Sequence, residues 1–112
     1  EEWVRQHLIK YLIEEKKYPK GRINIEGGLR VNTLQRRSDI VIYDEHGKAF
    51  LLVECKADTV KINQNVFEQI AAYNTQLQVR YLVVSNGLQH YCCKMDYVAN
   101  SYHFLPEIPE FT

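Results

Sequence analysis

Residues 39–56 read Asp39-Ile-Val-Ile-Tyr-Asp-Glu-His-Gly-Lys-Ala-Phe-Leu-Leu-Val-Glu-Cys-Lys56. The first five predict a β-strand, 39–43, and residues 44–48 predict a turn. Residues 49–55 predict a second strand, apolar almost throughout, as expected of a strand covered on both faces. The short turn-rich link makes the two a hairpin. Three charged residues mark its open end. Glu54 and Lys56 are two apart and share a face of their strand, while Cys55 points the other way. With the centre of the hairpin near residues 46 and 47, Asp39 stands opposite Glu54 or one place from it, and opposed residues share a face. Two carboxylates and one ammonium then converge. The carboxylates repel, and one lysine does not neutralise both. Such an oxygen-rich site suits Mg²⁺ or Mn²⁺, leaving the lysine to orient a water or steady developing negative charge. The same spacing also fits a plain ion pair of Lys56 with Glu54 or Asp39 at a strand end, a common and weak arrangement.

Outward from the hairpin, Val4, Leu8, Tyr11 and Leu12 recur at helical spacing and predict a helix over 2–17, stopped by Tyr18-Pro19-Lys20-Gly21. Ile23, Ile25, Leu29 and Val31 alternate around Gly27-Gly28 and predict a strand with a bend or bulge at the glycines. After the hairpin, Ile62, Val66, Ile70, Tyr73 and Leu77 form one stripe of a helix over 61–78. Gln69 lies beside that stripe with Tyr73 one turn on, so both are expected on the inner face, where Gln69 needs a partner. An edge glutamine and a core tyrosine would show the same spacing. Residues 80–84 predict a strand, Asn86-Gly87 a hairpin turn, and 88–95 the returning strand. The tail from 96 shows no clear period. The order of helix, three strands, helix and two strands is that of an α/β fold, a mixed sheet flanked by helices, with a parallel crossover through the second helix.

The chain has 112 residues, enough for one domain, 1–112. Its 46% hydrophobic and 25% charged residues exclude a disordered chain. No stretch is apolar for long enough to span a membrane as a helix. Fourteen basic and fourteen acidic residues balance, which argues against bulk electrostatic attraction to nucleic acid. Three cysteines, an odd number in hydrophobic surroundings, predict free thiols and a cytoplasmic setting. His90, Cys92 and Cys93 lack the paired spacing of a zinc site, and alternation divides them between two faces. Arg30, Arg36 and Arg37 precede Asp39, either as a solvated loop or as phosphate contacts that position DNA.

Together these residues resemble the PD-(D/E)xK nucleases. Ser38-Asp39, fourteen residues, then Glu54-Cys55-Lys56 is similar to the family motif, with Ser38 where the motif name has proline. Gln69-Ile-Ala-Ala-Tyr73 is similar to the QxxxY motif that follows it in some branches. Glu2-Trp-Val-Arg5, Arg37-Ser-Asp39-Ile-Val, Leu52-Val-Glu-Cys-Lys56 and Leu82-Val-Val-Ser-Asn-Gly87 resemble one branch, the N-terminal nuclease domain of type I restriction enzyme R (restriction) subunits. The resemblance covers the chain up to about residue 96. It implies a restriction-endonuclease-like αβββαβ core and a metal-dependent endonuclease acting on double-stranded DNA. In that reading Asp39 and Glu54 bind Mg²⁺ or Mn²⁺, Lys56 assists the attacking water, and Gln69 and Tyr73 support the site or touch DNA. A first-helix carboxylate joins them, best matched by Glu2, with Glu1 and Glu14 as alternatives. Arg36 and Arg37 would contact DNA phosphates. The resemblance further implies motor, specificity and modification subunits as partners. These residues contain no G-x-x-x-x-G-K-[ST] loop, so either an ATP-driven motor is expected elsewhere or the chain is a small stand-alone relative. The rival expectation is a DNA-binding or assembly module that keeps the fold and does not cut.

Overall fold

A computed structural model of the chain describes residues 2–25, 40–73 and 78–111. Its elements run α1 (Glu2–Glu14), β1 (Ile23–Ile25), β2 (Ile40–Tyr43), β3 (Ala49–Cys55), α2 (Gln64–Tyr73), β4 (Tyr81–Ser85), β5 (His90–Asp96) and β6 (Ser101–Leu105), with a single 3₁₀ turn at Lys20–Arg22. The six strands lie side by side in chain order. β3 and β4 are parallel, joined through α2, and every other neighbouring pair is antiparallel.

α1 forms because Val4, Leu8 and Leu12 recur every fourth residue, and all three are buried. They cover one face of the sheet together with Ile40, Ile42, Leu51, Val53, Cys55, Val83 and Cys92. The helix ends at Glu14 rather than at the expected 17. Lys17 takes a left-handed conformation, φ 65°, and the Tyr18 amide donates back to the Leu12 carbonyl. The turn brings Lys16 and Tyr18 inward, where both are buried.

The β2–β3 hairpin follows one of the two expected registers, Ile40 facing Val53, Val41 facing Leu52 and Ile42 facing Leu51, with an irregularity at Tyr43. Alternation along β3 divides two cores. Leu51, Val53 and Cys55 belong to the α1 side. Leu52 packs on the other side with Val41, Ile62, Phe67, Val79, Leu82, Val84 and Cys93. α2 starts at Gln64, three residues later than expected. Asn63 caps it, its side-chain oxygen accepting from the Val66 N–H at 3.0 Å. Phe67, which the expected stripe omits, is the buried aromatic anchor of α2.

Two corrections fall in the C-terminal third. The returning strand begins at His90, not at 88, because Asn86 and Gln89 close the turn and Gly87, φ 89°, occupies its first central position. The tail then carries a sixth strand, β6, paired with β5 along its length, and runs back to the end of α1. There Ile108 is buried, the Tyr18 hydroxyl donates to the Pro109 carbonyl at 2.6 Å, and Lys16 Nζ meets Glu107 Oε1 at 2.5 Å. The expected glycine bend at 27–28, the arginines 30, 36 and 37, Asp39, and the end of the expected second helix at 74–77 lie outside the described residues.

Candidate active site

β3 carries an acid and a base past an apolar run to one end of the sheet. Leu51, Leu52 and Val53 are buried. Glu54 follows them inward, its side chain only 4% exposed. Lys56, just beyond the strand, reaches back so that Nζ lies 3.5 Å from Glu54 Oε2. The Lys56 amide donates to the Ser85 carbonyl at 2.8 Å, which continues the β3–β4 pairing by one step and holds the lysine in line with the strand. A buried carboxylate is costly unless an opposite charge and hydrogen bonds accompany it. Lys56 supplies the charge while keeping its own side chain 21% exposed, so the pair stands where the sheet opens to solvent.

By alternation Glu54 and Lys56 point to the α2 side. The backbones of Gln69 and Tyr73 lie within α2, which packs on that side through Phe67, while their side chains fall outside the description. Asp39 also lies outside it. It is peptide-bonded to Ile40, which faces Val53, the residue before Glu54. The Glu2 side chain is likewise not described, but α1 is placed at its first turn. A Cβ on Gly87 would stand 2.6 Å from Trp3 Cζ3 and 3.2 Å from Val4 Cγ2. The start of α1 therefore meets the β4–β5 turn, at the same end of the sheet as Glu54. Glu14 lies twelve residues further along the helix, about 18 Å away, so of the first-helix carboxylates it is badly placed.

Sequence reasoning missed a second polar group on the opposite face at this end. Ser85, fully buried, has its Oγ 2.6 Å from His90 Nδ1 and accepts the Gly87 N–H at 3.0 Å. His90 stacks on Tyr11, and Trp3 stacks on His7. Burial, and then the nearby His7, hold the His90 imidazole below its usual pKa. Asn86 ties the turn to the segment after Lys56, since its side-chain N–H donates to the Val60 carbonyl at 2.8 Å. The Ser-Asn-Gly run was the available signal, but it marks a turn without revealing what the turn's side chains touch.

Among the described residues no three His, Cys, Asp or Glu side chains gather into a metal set. Cys92 lies in the α1-side core and Cys93 in the α2-side core. Burial pushes both thiols up to about 12, so they pack as small apolar side chains, and none of the three cysteines forms a disulfide. A recess of about 680 Å³ lies around the β2–β3 turn at the far end of the sheet, lined by residues that include Asp44, Lys48 and Arg80. There the Asp44 carboxylate is occupied by the His46 and Lys48 amides. No helix among the described residues is long and apolar enough to cross a membrane.

The molecule is thus a mixed α/β protein with a buried acid and a half-exposed lysine at the end of its central parallel strand. The family model for the type I restriction enzyme R protein N terminus matches residues 1–109, and the chain belongs to that family. No curated protein matches it.

Proposed function

We propose that this chain is a metal-dependent DNA endonuclease domain of the PD-(D/E)xK kind, hydrolysing phosphodiester bonds for a restriction system. One observation carries the reading. A carboxylate, Glu54, is buried at the end of an apolar strand with a lysine 3.5 Å away, next to the strand that Asp39 precedes. Family membership supports it. A strand-end ion pair alone would gain little stability from such burial, so the pair is better explained by chemistry than by folding.

The donor chemistry fits a hard divalent cation. Glu54 offers carboxylate oxygen, the ligand type that Mg²⁺ and Mn²⁺ take. Asp39 and Glu2 would complete the set. When bound, the ion supplies Lewis acidity toward the scissile phosphate and a lowered pKa for a water. Lys56 holds a positive charge at the mouth of the site and donates to the attacking water or to a phosphate oxygen as negative charge grows. Gln69 and Tyr73, on the helix over that face, would orient these groups or touch DNA, and Arg36 and Arg37 would hold phosphates of the duplex. The motor, specificity and modification subunits of such a system would supply translocation and site choice.

The formal net charge of zero favours a second reading, a DNA-binding or assembly module that keeps the fold without cutting. Nicking of supercoiled DNA with Mg²⁺ or Mn²⁺ decides between them. Wild-type chain should nick, and a folded Lys56→Ala variant should lose about a hundredfold or more in rate. Equal rates would remove Lys56 from the chemistry. A wild-type chain that is inactive with both metals, alone and with the partner subunits, would favour the non-cutting module.

A further inference from the structure

The α2-side face of the sheet carries more than the acid and the lysine. Glu54 pairs with Val84 across β3 and β4, and Val84 pairs with Tyr91 across β4 and β5. Directly paired residues share a face, so Glu54, Val84 and Tyr91 form one row. At the usual strand spacing Tyr91 sits about 10 Å from Glu54 along that row. Tyr91 is 37% exposed, and Phe104 on β6 is 53% exposed. With Phe67, Ile62, Asn63 and Gln64 they line a recess of about 160 Å³. Phe67 and Phe104 rings lie 5.1 Å apart at 54°, with Tyr102 edge-on to Phe104. The recess is small beside the roughly 300–1,000 Å³ of a drug-sized pocket and offers aromatic faces rather than a closed apolar cavity. Asn63 stands at its rim. Its side-chain carbonyl caps α2. Gln64 donates to Glu68 and to the Tyr102 hydroxyl at 3.5 Å, so a carboxylate stands at the edge of the aromatic cluster and its negative charge is shared with an amide donor.

We propose that this recess takes one unpaired nucleobase of the DNA strand whose phosphate reaches Glu54 and Lys56. The inference rests on the nuclease reading for which strand arrives there. It adds a base-stacking site that makes a locally unpaired strand, rather than intact duplex, the preferred ligand. Stacking on aromatic side chains tolerates any base because every base has a π-face. The site therefore grips DNA without reading sequence, and it does so without the basic excess that the chain lacks. A base held one short reach from the acid–lysine pair would also set which phosphate lies in the site.

The test is run in a chelator, so that cleavage plays no part. Fluorescence anisotropy compares the full chain binding a labelled single-stranded oligodeoxynucleotide and the matching duplex. A second oligonucleotide carries a fluorescent adenine analogue whose emission falls on stacking. Wild type should bind the single strand about tenfold more tightly than the duplex and quench the analogue. Phe104→Ala and Tyr91→Ala should each weaken single-strand binding roughly five- to a hundredfold, relieve the quenching, and leave duplex binding unchanged. Phe104→Trp should keep both properties. Unchanged single-strand affinity in both alanine variants overturns the proposal. So does failure of wild type to bind any oligonucleotide, which would assign the aromatic face to a protein contact. Because no metal is present, loss of the nuclease reading through absent nicking leaves this result standing. Normal nicking with unaffected stacking variants overturns the base site alone.

Discussion

A lysine two residues after a buried carboxylate on one strand must share its face, because side chains along a strand repeat every second residue. Glu54 and Lys56 illustrate what that placement costs. The carboxylate is 4% exposed and the lysine 21%, so Lys56→Ala leaves a buried charge with its cation removed. The variant should lose about 1–3 kcal/mol in a urea melt, below the roughly 3–5 kcal/mol of a fully buried pair. Lys56→Met, which restores apolar contact and not charge, should recover little of it. Gly87 is constrained twice over, by its positive φ of 89° and by the Trp3 ring where a Cβ would stand. Gly87→Ala should cost about 1–2 kcal/mol for the backbone alone, plus a steric part. The steric part should shrink in a Trp3→Ala background, leaving the milder contact with Val4, so the two substitutions should couple in a double-mutant cycle. Strict additivity would show that Trp3, 58% exposed, simply swings aside.

At the scale of elements, α2 has the most to lose from a single cap. It has no acidic residue in its first turn and no basic residue in its last, so the helix dipole is offset only by Asn63. Asn63→Ala should destabilise the fold by about 1 kcal/mol, whereas Asn63→Asp should be neutral or stabilising, since it keeps the acceptor and adds negative charge at the N-terminus. Thermal melts of the two variants check this; equal loss in both would assign the effect to something other than capping. The cap has a consequence for function as well. α2 packs on the face that Glu54 shares, and if Gln69 and Tyr73 act as proposed, fraying at its start would loosen their placement before it touched the sheet.

At the scale of the molecule, the C-terminal tail closes onto the end of α1. Lys16, with a side chain 6% exposed, is compensated by Glu107. The hydrogen bond to Lys16 holds the Glu107 carboxyl below its ordinary value of 4.5, and the same bond holds Lys16 above 10.5. A carboxyl depressed in the folded state stabilises fully above its unfolded pKa and loses that contribution as pH falls through the folded value. Melting temperature should therefore drop more steeply on acidification below about pH 4.5 in wild type than in Glu107→Gln. Superimposable pH curves would mean that the bridge contributes nothing. Mg²⁺ or Mn²⁺ at ten times its dissociation constant should stabilise the fold by about 1.4 kcal/mol, a rise of about 5 °C for a domain near this size. Asp39→Asn and Glu54→Gln should abolish most of the rise. An equal rise in wild type and variants would place the metal elsewhere.

The hairpin from Ile40 to Cys55 and the division of its side chains between two faces were legible from residues 39–56. Period-two alternation and a short polar turn fixed its register to within one place, and the tertiary structure chose between the two pairings. The parallel step through α2 was legible for the same kind of reason, since two apolar strands separated by a helical stripe have few other arrangements. β6 was not legible. Its residues are mostly exposed, and a partly solvated edge strand has no burial pattern to betray it, only a neighbour to pair with. Lys16 at the end of a helix reads as a solvated charge, and only the tail, 91 residues further on, buries it against Glu107. Ser85 falls between a predicted strand and turn, and His90 reads only as a poor zinc ligand beside Cys92 and Cys93, until the β4–β5 register sets the two opposite each other. The aromatic recess joins α2 to β5 and β6. Local sequence determined the strand that carries the acid and lysine, because strand geometry is local. Long-range packing decided what surrounds them, because contacts between distant segments leave no period in the chain.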